Sequence, residues 1–564
     1  MKRFLAVCGA VAFLAAGCTD DAEPDYPPPE ETLDAFVEAW NDRHVTAMSD
    51  LMVEPLRRPD RFFPRAVGRQ VEFEVTADDP VTGSVSDGGP SPDGTFADAE
   101  YSLVYSVDGA EADPLVGKLR MWLDGDRWRV EWDRSALWPG VDGDKLHVEW
   151  KWARRAPIRD RKGRTLATGR AEARRYPFGA TAGSTIGHIG ALTPRQAAAS
   201  EVLEVGDLAG ASGLERAFDE RLAGTPGLRL QVLDGGEPVT TLLRRAPEPG
   251  KPVGTTLDMR VQQAAAAAFG GTTGGAVVLD PSTGDLLAVV SSAEFTPASY
   301  VGAGDVQPFN RALSGLYPPG SSLKVMTGAA ALETGVVEPG TRLTGPAEYK
   351  GVRNFESGEF GTLDFATAVR FSVNTAFAQI AEDLGPSRLT RFAKAFGFGR
   401  PPEMALDAAT SSFPRPEDEG DLMWSSIGQA QVLATPLQMA TVAATIANGG
   451  RRMEPRIARG VRPQGSRVVS KRTAATMTRL MESVVESGTG TGARIPGVRV
   501  AGKTGTAEVD VEGKRRNHAW FVAFAPADDP RLAVAVVSEL GGVGGEVAAP
   551  LARAILQATL PLAS

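Results

Sequence analysis

Cysteine is almost absent from this chain: of 564 residues, only Cys8 and Cys18 are cysteines. Both sit at the extreme N-terminus, so the mature chain has no intramolecular disulfide and its stability has to come from packed cores. Histidine is nearly as scarce, with His44, His147, His188 and His518 alone. That scarcity disfavours a Ser-His-Asp triad, and a histidine-rich metal site still more. An excess of positive charge is missing too. The formal net charge is −10, with no long basic stripe or interleaved aromatic set, which argues against nucleic acid as a main partner. What remains, 42% hydrophobic and 23% charged residues, is ordinary for globular proteins and ample for several cores. The length points to more than one domain, with three as the first expectation.

The N-terminus has a different character. Lys2 and Arg3 precede an apolar run from Phe4 to Ala16, then Gly17-Cys18 and an acidic, proline-rich stretch from Thr19 to Glu31. This is the three-part form of a secretory signal, and the run is too short to span a bilayer comfortably. Leu14-Ala15-Ala16-Gly17-Cys18 resembles a bacterial lipobox, which implies lipidation of Cys18; Ala15 departs from the larger aliphatic residue usual there. The expectation is an exported protein tethered by lipid to the outer face of the cytoplasmic membrane. An uncleaved short anchor and simple secretion, with Cys18 incidental, are the alternatives.

The most informative segment is Pro318-Pro319-Gly320-Ser321-Ser322-Leu323-Lys324, the sole Ser-x-x-Lys of the chain. Gly320 lets the backbone approach closely, and the proline pair fixes the entry to a helical run from Leu323 to Leu332. Residues three apart on a helix share a face, so the spacing predicts the Lys324 amine beside the Ser321 hydroxyl. A serine needs a base to become a nucleophile, and a partly desolvated lysine can be that base. Alone, such a pair is more often two solvated side chains. Two further motifs change the odds: Ser372-Val373-Asn374 is the only Ser-x-Asn, and Lys503-Thr504-Gly505-Thr506 holds the only Lys-Thr-Gly.

This ordered trio is the signature of β-lactamases and penicillin-binding proteins. On these residues the chain resembles the class B, monofunctional penicillin-binding transpeptidases. Supporting stretches are Phe309-Asn310-Arg311-Ala312, Gly428-Gln429, and Thr435-Pro436-Leu437-Gln438-Met439-Ala440 running to Ala447-Asn448-Gly449-Gly450. The likeness covers roughly residues 253 to 563, and more weakly back to about residue 150.

The resemblance implies a peptidoglycan D,D-transpeptidase that works through an acyl-serine and is acylated by β-lactams, with no cofactor and no metal. Ser321 would attack the D-Ala-D-Ala carbonyl. Lys324 would be its base, although a free lysine, with a pKa of ~10.4, is protonated and useless. Burial, the positive end of its own helix and a second cation at Lys503 would push that value down. Ser372 would relay a proton between Lys324 and the leaving amine, and Asn374 would hold Lys324 and the substrate amide. Lys503, Thr504 and Thr506 would bind the terminal carboxylate, with Gly505 letting an extended peptide lie against the strand. Backbone N–H groups of Ser321 and Thr506 would form an oxyanion hole. Stem peptides, β-lactams and cell-wall synthesis proteins such as a glycosyltransferase are the implied partners. Hydrolysis by the same site, as in a D,D-carboxypeptidase or β-lactamase, and a noncatalytic β-lactam-binding scaffold are the competing readings.

The expected fold is multidomain α+β. After a signal at 1–18 and a linker at 19–30 comes a domain at 31–146. There Leu33, Phe36, Val37 and Trp40 mark an amphipathic helix, and Val71 to Val75 and Trp128 to Trp132 alternate as half-buried strands. Helix first, then a curved sheet, resembles the NTF2-like domain. Pro80 to Gly94 reads as a mobile loop, and Asp124-Gly125-Asp126 and Asp142-Gly143-Asp144 as turns rather than calcium loops. Residues 147–252 resemble the extended pedestal, or dimerisation, domain of class B proteins. Its basic run Arg154 to Arg164 is expected as a solvated strand and turn, or in ion pairs with a neighbouring domain, and Ala246 to Pro252 as a linker. Residues 253–564 are the serine acyltransferase unit, with a central antiparallel sheet and a helical subdomain. Strands are expected at Ala276 to Asp280, Leu286 to Val290, Val498 to Glu508, Ala519 to Ala525 and Leu532 to Glu539. Gly488 to Gly492 reads as a flexible loop, since no Lys-Ser/Thr follows to make it a phosphate site. Ser425-Ser426 and His518 are expected to be structural.

Overall fold

Pro29 can open a helix because its missing N–H is one that no helix start can use, and Glu30 and Glu31 favour the positive end of the helix dipole. In the computed structural model the resulting helix, Pro29–Asn41, buries Leu33, Phe36, Ala39 and Trp40. The structure describes residues 26–57, 62–68, 70–85, 90–200, 202–303 and 308–563. Cys8, Cys18, the whole signal segment and most of the 19–30 linker lie outside these described residues. The chain divides into two units, one of residues 1–151 with 227–246, the other of 152–226 with 247–564.

In the front unit, six strands form one antiparallel sheet around Thr95–Val107. The residues of that long strand alternate between buried and less buried positions, as a sheet with one face in a core requires. Two expectations need correction. Pro80 to Gly94 is not simply a loop: Val81–Ser84 pairs antiparallel with Thr95–Asp98, and residues 86–89 lie outside the description. The border at 146/147 is also drawn differently. Gly227–Asp234 and Glu237–Arg245 form a hairpin that pairs with Lys145–Lys151, and Leu228, Leu230 and Val232 join the core that holds Trp40 and Trp138. A short-range reading cannot find a partner strand some eighty residues away, because loop closure leaves no local mark.

In the second unit the basic run is a strand, Ile158–Arg159, and a turn with Arg154, Arg159 and Lys162 exposed, as expected, and Arg155 alone needs correction. Arg155 is buried and ion-paired to Glu215 at 2.9 Å, and Arg174 holds the other Glu215 oxygen at 2.7 Å. Arg155 also reaches Asp219 at 2.7 Å. These charges are desolvated together and neutralise one another, which is the only cheap way to bury them; the pairs lie within one unit, not between domains. The linker expected at Ala246 to Pro252 is partly strand, since Glu248–Pro249 pairs with Gly224–Thr225.

The central sheet has five strands in the order Leu286–Ser291, Gly274–Leu279, Leu532–Ser538, Lys514–Ala525, Ala501–Val511, all antiparallel. Its segments read as near-continuous apolar runs because both faces are covered. Ala276, Val278, Phe521 and Val534 face a core with the helices Met259–Phe269 and Ala548–Thr559. Val277, Val522, Phe524 and Ala535 face a second core with Pro436–Ala447. The last hairpin extends further than its apolar run suggests, through Val511 and Lys514, since its tip is polar and exposed. Ala501–Val511 stands at the sheet edge, so one row of its backbone groups is not used by the neighbouring strand. Against it lie the helix Lys471–Ser487 and the turn Gly320–Leu323, and on these and one another pack the helices Lys324–Glu333, Phe365–Arg370 and Asn374–Phe396.

Candidate active site

Gly320 begins the site. It sits at φ +53°, and an added Cβ would lie 2.8 Å from the Thr506 carbonyl oxygen. Both conditions demand glycine, because a side chain would be strained and would drive the serine segment off the edge strand. Gly505 is the reciprocal contact: its Cβ would meet the Pro319 carbonyl at 2.7 Å and the Ser322 nitrogen at 3.0 Å. Trp520 Nε1 donates to the Pro318 carbonyl at 3.0 Å, and Ser322 Oγ to the Pro319 carbonyl at 2.6 Å. Ser321 lies in a 3₁₀ turn, Gly320–Leu323, that runs into the α-helix at Lys324. It stays half-exposed and opens into a cleft of about 590 Å³.

Lys324 is only 1% exposed. Its Nζ donates to the Ser372 carbonyl at 2.8 Å, to Asn374 Oδ1 at 2.5 Å and to Ser372 Oγ at 3.3 Å, with the Phe377 ring 5.1 Å away. Among the described residues, Ser321 Oγ is not one of its hydrogen-bond partners, contrary to the simplest reading of the spacing. A buried amine needs an acceptor for each of its protons, and the Ser372 carbonyl, Asn374 Oδ1 and the Ser372 hydroxyl supply them. Ser372 supplies two of the three contacts because it adopts φ +61°. For a non-glycine residue this conformation costs ~1–3 kcal/mol, strain of a kind that concentrates at functional sites.

Lys503 reaches the same serine from the edge strand. Its Nζ donates to Ser372 Oγ at 2.8 Å and to the Thr504 carbonyl at 3.1 Å. Ser372 Oγ thus stands between two amines, and its single proton can go to whichever of them is neutral while the other donates to it. Burial pulls the Lys503 amine down to about 7. Burial, reinforced by the charge of Lys503, holds Lys324 well below the usual lysine range.

Ser321, Ser372, Asn374, Thr504 and Thr506 all line the cleft, and Gly505 underlies it. Cys18 lies outside the described residues. The sequence reading missed other lining residues. Glu508 follows Thr504 and Thr506 on one face of the strand, a period-two signal that was legible. Phe360 and Phe371 stack at the rim, 6.4 Å apart, and no motif announces them. Thr489 also lines the cleft; the loop that carries it is pinned on both sides rather than flexible. His518 accepts from the Leu540 N–H at 3.1 Å and meets Tyr317 edge-on, and Ser426 bonds within the fold.

Residues 274–557 match the penicillin binding protein transpeptidase domain, and residues 164–255 the penicillin-binding protein dimerisation domain. A relative, the peptidoglycan D,D-transpeptidase PbpA of Mycolicibacterium smegmatis, is 38% identical over 397 residues, 62% of this chain and 79% of its own length. The fold is similar to that of Pseudomonas aeruginosa PBP2 in complex with WCK 5153, at TM-score 0.65 and 30% identity, covering 73% of this chain and 97% of that one. It is similar also to a ceftriaxone acyl-enzyme complex of penicillin-binding protein A from M. tuberculosis, at TM-score 0.60 and 31% identity, covering 72% and 98% of the two chains. The chain belongs to the class B penicillin-binding protein transpeptidases.

Proposed function

We propose that this protein is a peptidoglycan D,D-transpeptidase whose nucleophile is Ser321, acting on stem peptides that end in D-Ala-D-Ala. The observation that carries the reading is the placement of the Ser372 hydroxyl between two buried amines, Lys324 and Lys503, next to a serine open to a cleft. Neutral Lys324 takes the Ser321 proton as Oγ bonds to the penultimate D-Ala carbonyl carbon. The C–N bond breaks, and the proton passes through Ser372 to the departing D-Ala amine. An amine of a neighbouring stem peptide then attacks the ester carbonyl, and Ser321 recovers its proton. Asn374 holds Lys324 and the donor amide, while Lys503, Thr504 and Thr506 take the terminal carboxylate. β-Lactams acylate the same serine because their amide presents a like carbonyl and carboxylate.

A fluorescent penicillin is expected to label the wild type covalently and to leave Ser321→Ala unlabelled. An unlabelled wild type would sink the assignment, and equal labelling of both would sink Ser321 as nucleophile. Incubation of an acyl donor with and without an amine acceptor separates transfer from hydrolysis; new amide product is the expected result.

The front unit, a helix laid before a curved sheet, fits the NTF2-like reading, and residues 152–226 with 247–252 the pedestal. The lipobox-like segment supports an enzyme anchored through Cys18 on the outer face of the cytoplasmic membrane, within reach of a glycosyltransferase. Cys18→Ala is expected to move the protein from the membrane fraction to the soluble one. Unchanged fractionation would favour an uncleaved N-terminal anchor instead.

A further inference from the structure

The helix that carries Asn374, Asn374–Phe396, starts without a cap of its own. Its N-cap position is held by Val373, whose side chain has no hydrogen-bond acceptor, although the first N–H groups of a helix need acceptors from outside it. The Thr375 N–H finds one 21 residues upstream, in Asn354 Oδ1 at 3.1 Å. Asn354 is only 5% exposed. Its Nδ2 donates to the Pro346 carbonyl at 2.9 Å and to the Gly358 carbonyl at 2.8 Å. The Thr375 hydroxyl lies 3.3 Å from Oδ1 and 3.2 Å from Nδ2. One side chain thus ties the two ends of segment 346–358 to each other and to the start of the helix.

The segment needs such a tie. Lys350, Glu356 and Ser357 hold left-handed backbone, at φ +46°, +53° and +56°, which non-glycine residues keep only where surrounding contacts over-determine it. Next to Asn354 in the chain, the Arg353 carbonyl accepts from Asn374 Nδ2 at 2.8 Å, while Asn374 Oδ1 takes the Lys324 amine at 2.5 Å. The two ends of a side-chain amide have nearly the same shape, so its hydrogen-bond partners decide which end faces which way. A backbone carbonyl can only accept. It draws Nδ2 to itself and leaves Oδ1 for Lys324; the reversed amide would set two oxygens together and aim an N–H at an ammonium. The second Nδ2 proton stays available for the donor amide.

We infer that Asn354 is a positioning residue of this site: it fixes the Arg353 carbonyl, which orients the Asn374 amide, which holds Lys324. The inference rests on the transpeptidase reading and adds to it a residue outside the Ser-x-x-Lys, Ser-x-Asn and Lys-Thr-Gly segments. Asn354 borders the cleft, but its amide is spent on protein partners, and it acts through Asn374. The consequence is chemical. Lys324 gains charge as it takes the Ser321 proton, and a correctly turned Oδ1 stabilises that charge.

The test measures second-order acylation of Ser321 by a fluorescent penicillin, as a function of pH, for the full-length wild type, N354A, N374A and the double variant. N354A is expected to lose about 10- to 100-fold, as loss of a hydrogen bond to a charged group predicts. In the N374A background the same change is expected to cost less than about threefold, because the group through which Asn354 acts is already gone. The acid limb of the rate is expected to move to lower pH in N354A and N374A alike, since an amine that loses an acceptor holds its proton less firmly. A full-sized N354A rate with no loss, losses that multiply in the double variant, or an acid limb left at its wild-type position would each overturn the inference. N354S, which keeps an acceptor for the Thr375 N–H, takes the place of N354A if thermal unfolding shows the latter misfolded. A wild type that the penicillin does not acylate would instead overturn the transpeptidase reading, and this inference with it.

Discussion

Replacing Lys324 by methionine is expected to lower the rate of Ser321 acylation by about two to four orders of magnitude, the usual worth of a positioned general base. Methionine fills the space of the lysine stem and removes a buried charge, so the loss is one of chemistry and not of folding. Lys324→Arg sharpens the test. It keeps a cation near Ser372 and Asn374, but a guanidinium cannot shed its proton in a protein. Both variants are expected to lack the acid limb that protonation of Lys324 gives the wild-type rate, and to stay slow across the pH range. The sign follows from the role. A lysine acts as base only when neutral, so the rate is high above the Lys324 pKa and declines as pH falls through it. That pKa is held low first by burial and then by the charge of Lys503. Lys503→Met removes the second cause, and the acid limb of the rate profile is expected to move to higher pH. An active arginine variant would end the role of Lys324 as base.

The same two amines make stability depend on pH. Lys503 is 1% exposed and its amine falls from 10.5 to about 7 on burial. Its folded pKa lies below the unfolded one, so between the two the unfolded chain binds more protons, and the free energy of unfolding rises with pH. The slope contributed by one such group is about 1.4 kcal/mol per pH unit between about pH 7 and about pH 10. Below that window the full cost of a buried, protonated amine is present; above it the cost is gone. Lys324, shifted in the same direction, acts in the same sense. Lys503→Met is therefore expected to be more stable than wild type at about pH 6, by about 1–4 kcal/mol, because an apolar side chain replaces a buried charge. The lost bond to Ser372 offsets part of that gain, by about 1 kcal/mol. The difference should close as pH approaches about 10. Denaturant unfolding of the catalytic transition at several pH values checks this, and parallel stability curves for the two proteins would refute it. The site is thus held at a cost to stability, consistent with the strained Ser372 backbone beside it.

Much of the catalytic unit was legible because its signals are local. The runs Ala276 to Leu279 and Ala519 to Ala525 are apolar enough to be strands whatever surrounds them, and they pair as such. The Pro436–Ala447 helix begins at Thr435, whose side chain accepts from Gln438 N, a cap written in the sequence. What was misread depended on distant partners. The strand Val81–Ser84 looks like a turn-rich loop until Thr95–Asp98 is beside it. Arg155 looks solvated until Glu215, sixty residues on, is folded against it. Glu508 and Thr489 border the cleft for different reasons, one through strand period and one through a packed turn, and the second has no periodic signature.

By itself the sequence determined which residues are available for chemistry. One Ser-x-x-Lys, one Ser-x-Asn and one Lys-Thr-Gly exist, histidine is too scarce to replace them, and no disulfide framework competes with core packing. The tertiary structure alone decided how these groups meet. It buried two lysines around one serine hydroxyl, drew Lys324 toward Ser372 and Asn374 rather than Ser321, and set Thr489 against Thr504. The physical reason is that motif identity is a property of covalent neighbours. The basicity of a lysine and the reach of a hydroxyl are set by desolvation and by contacts between segments from 15 to 131 residues apart, which exist only once the sheet edge and the helical subdomain have packed.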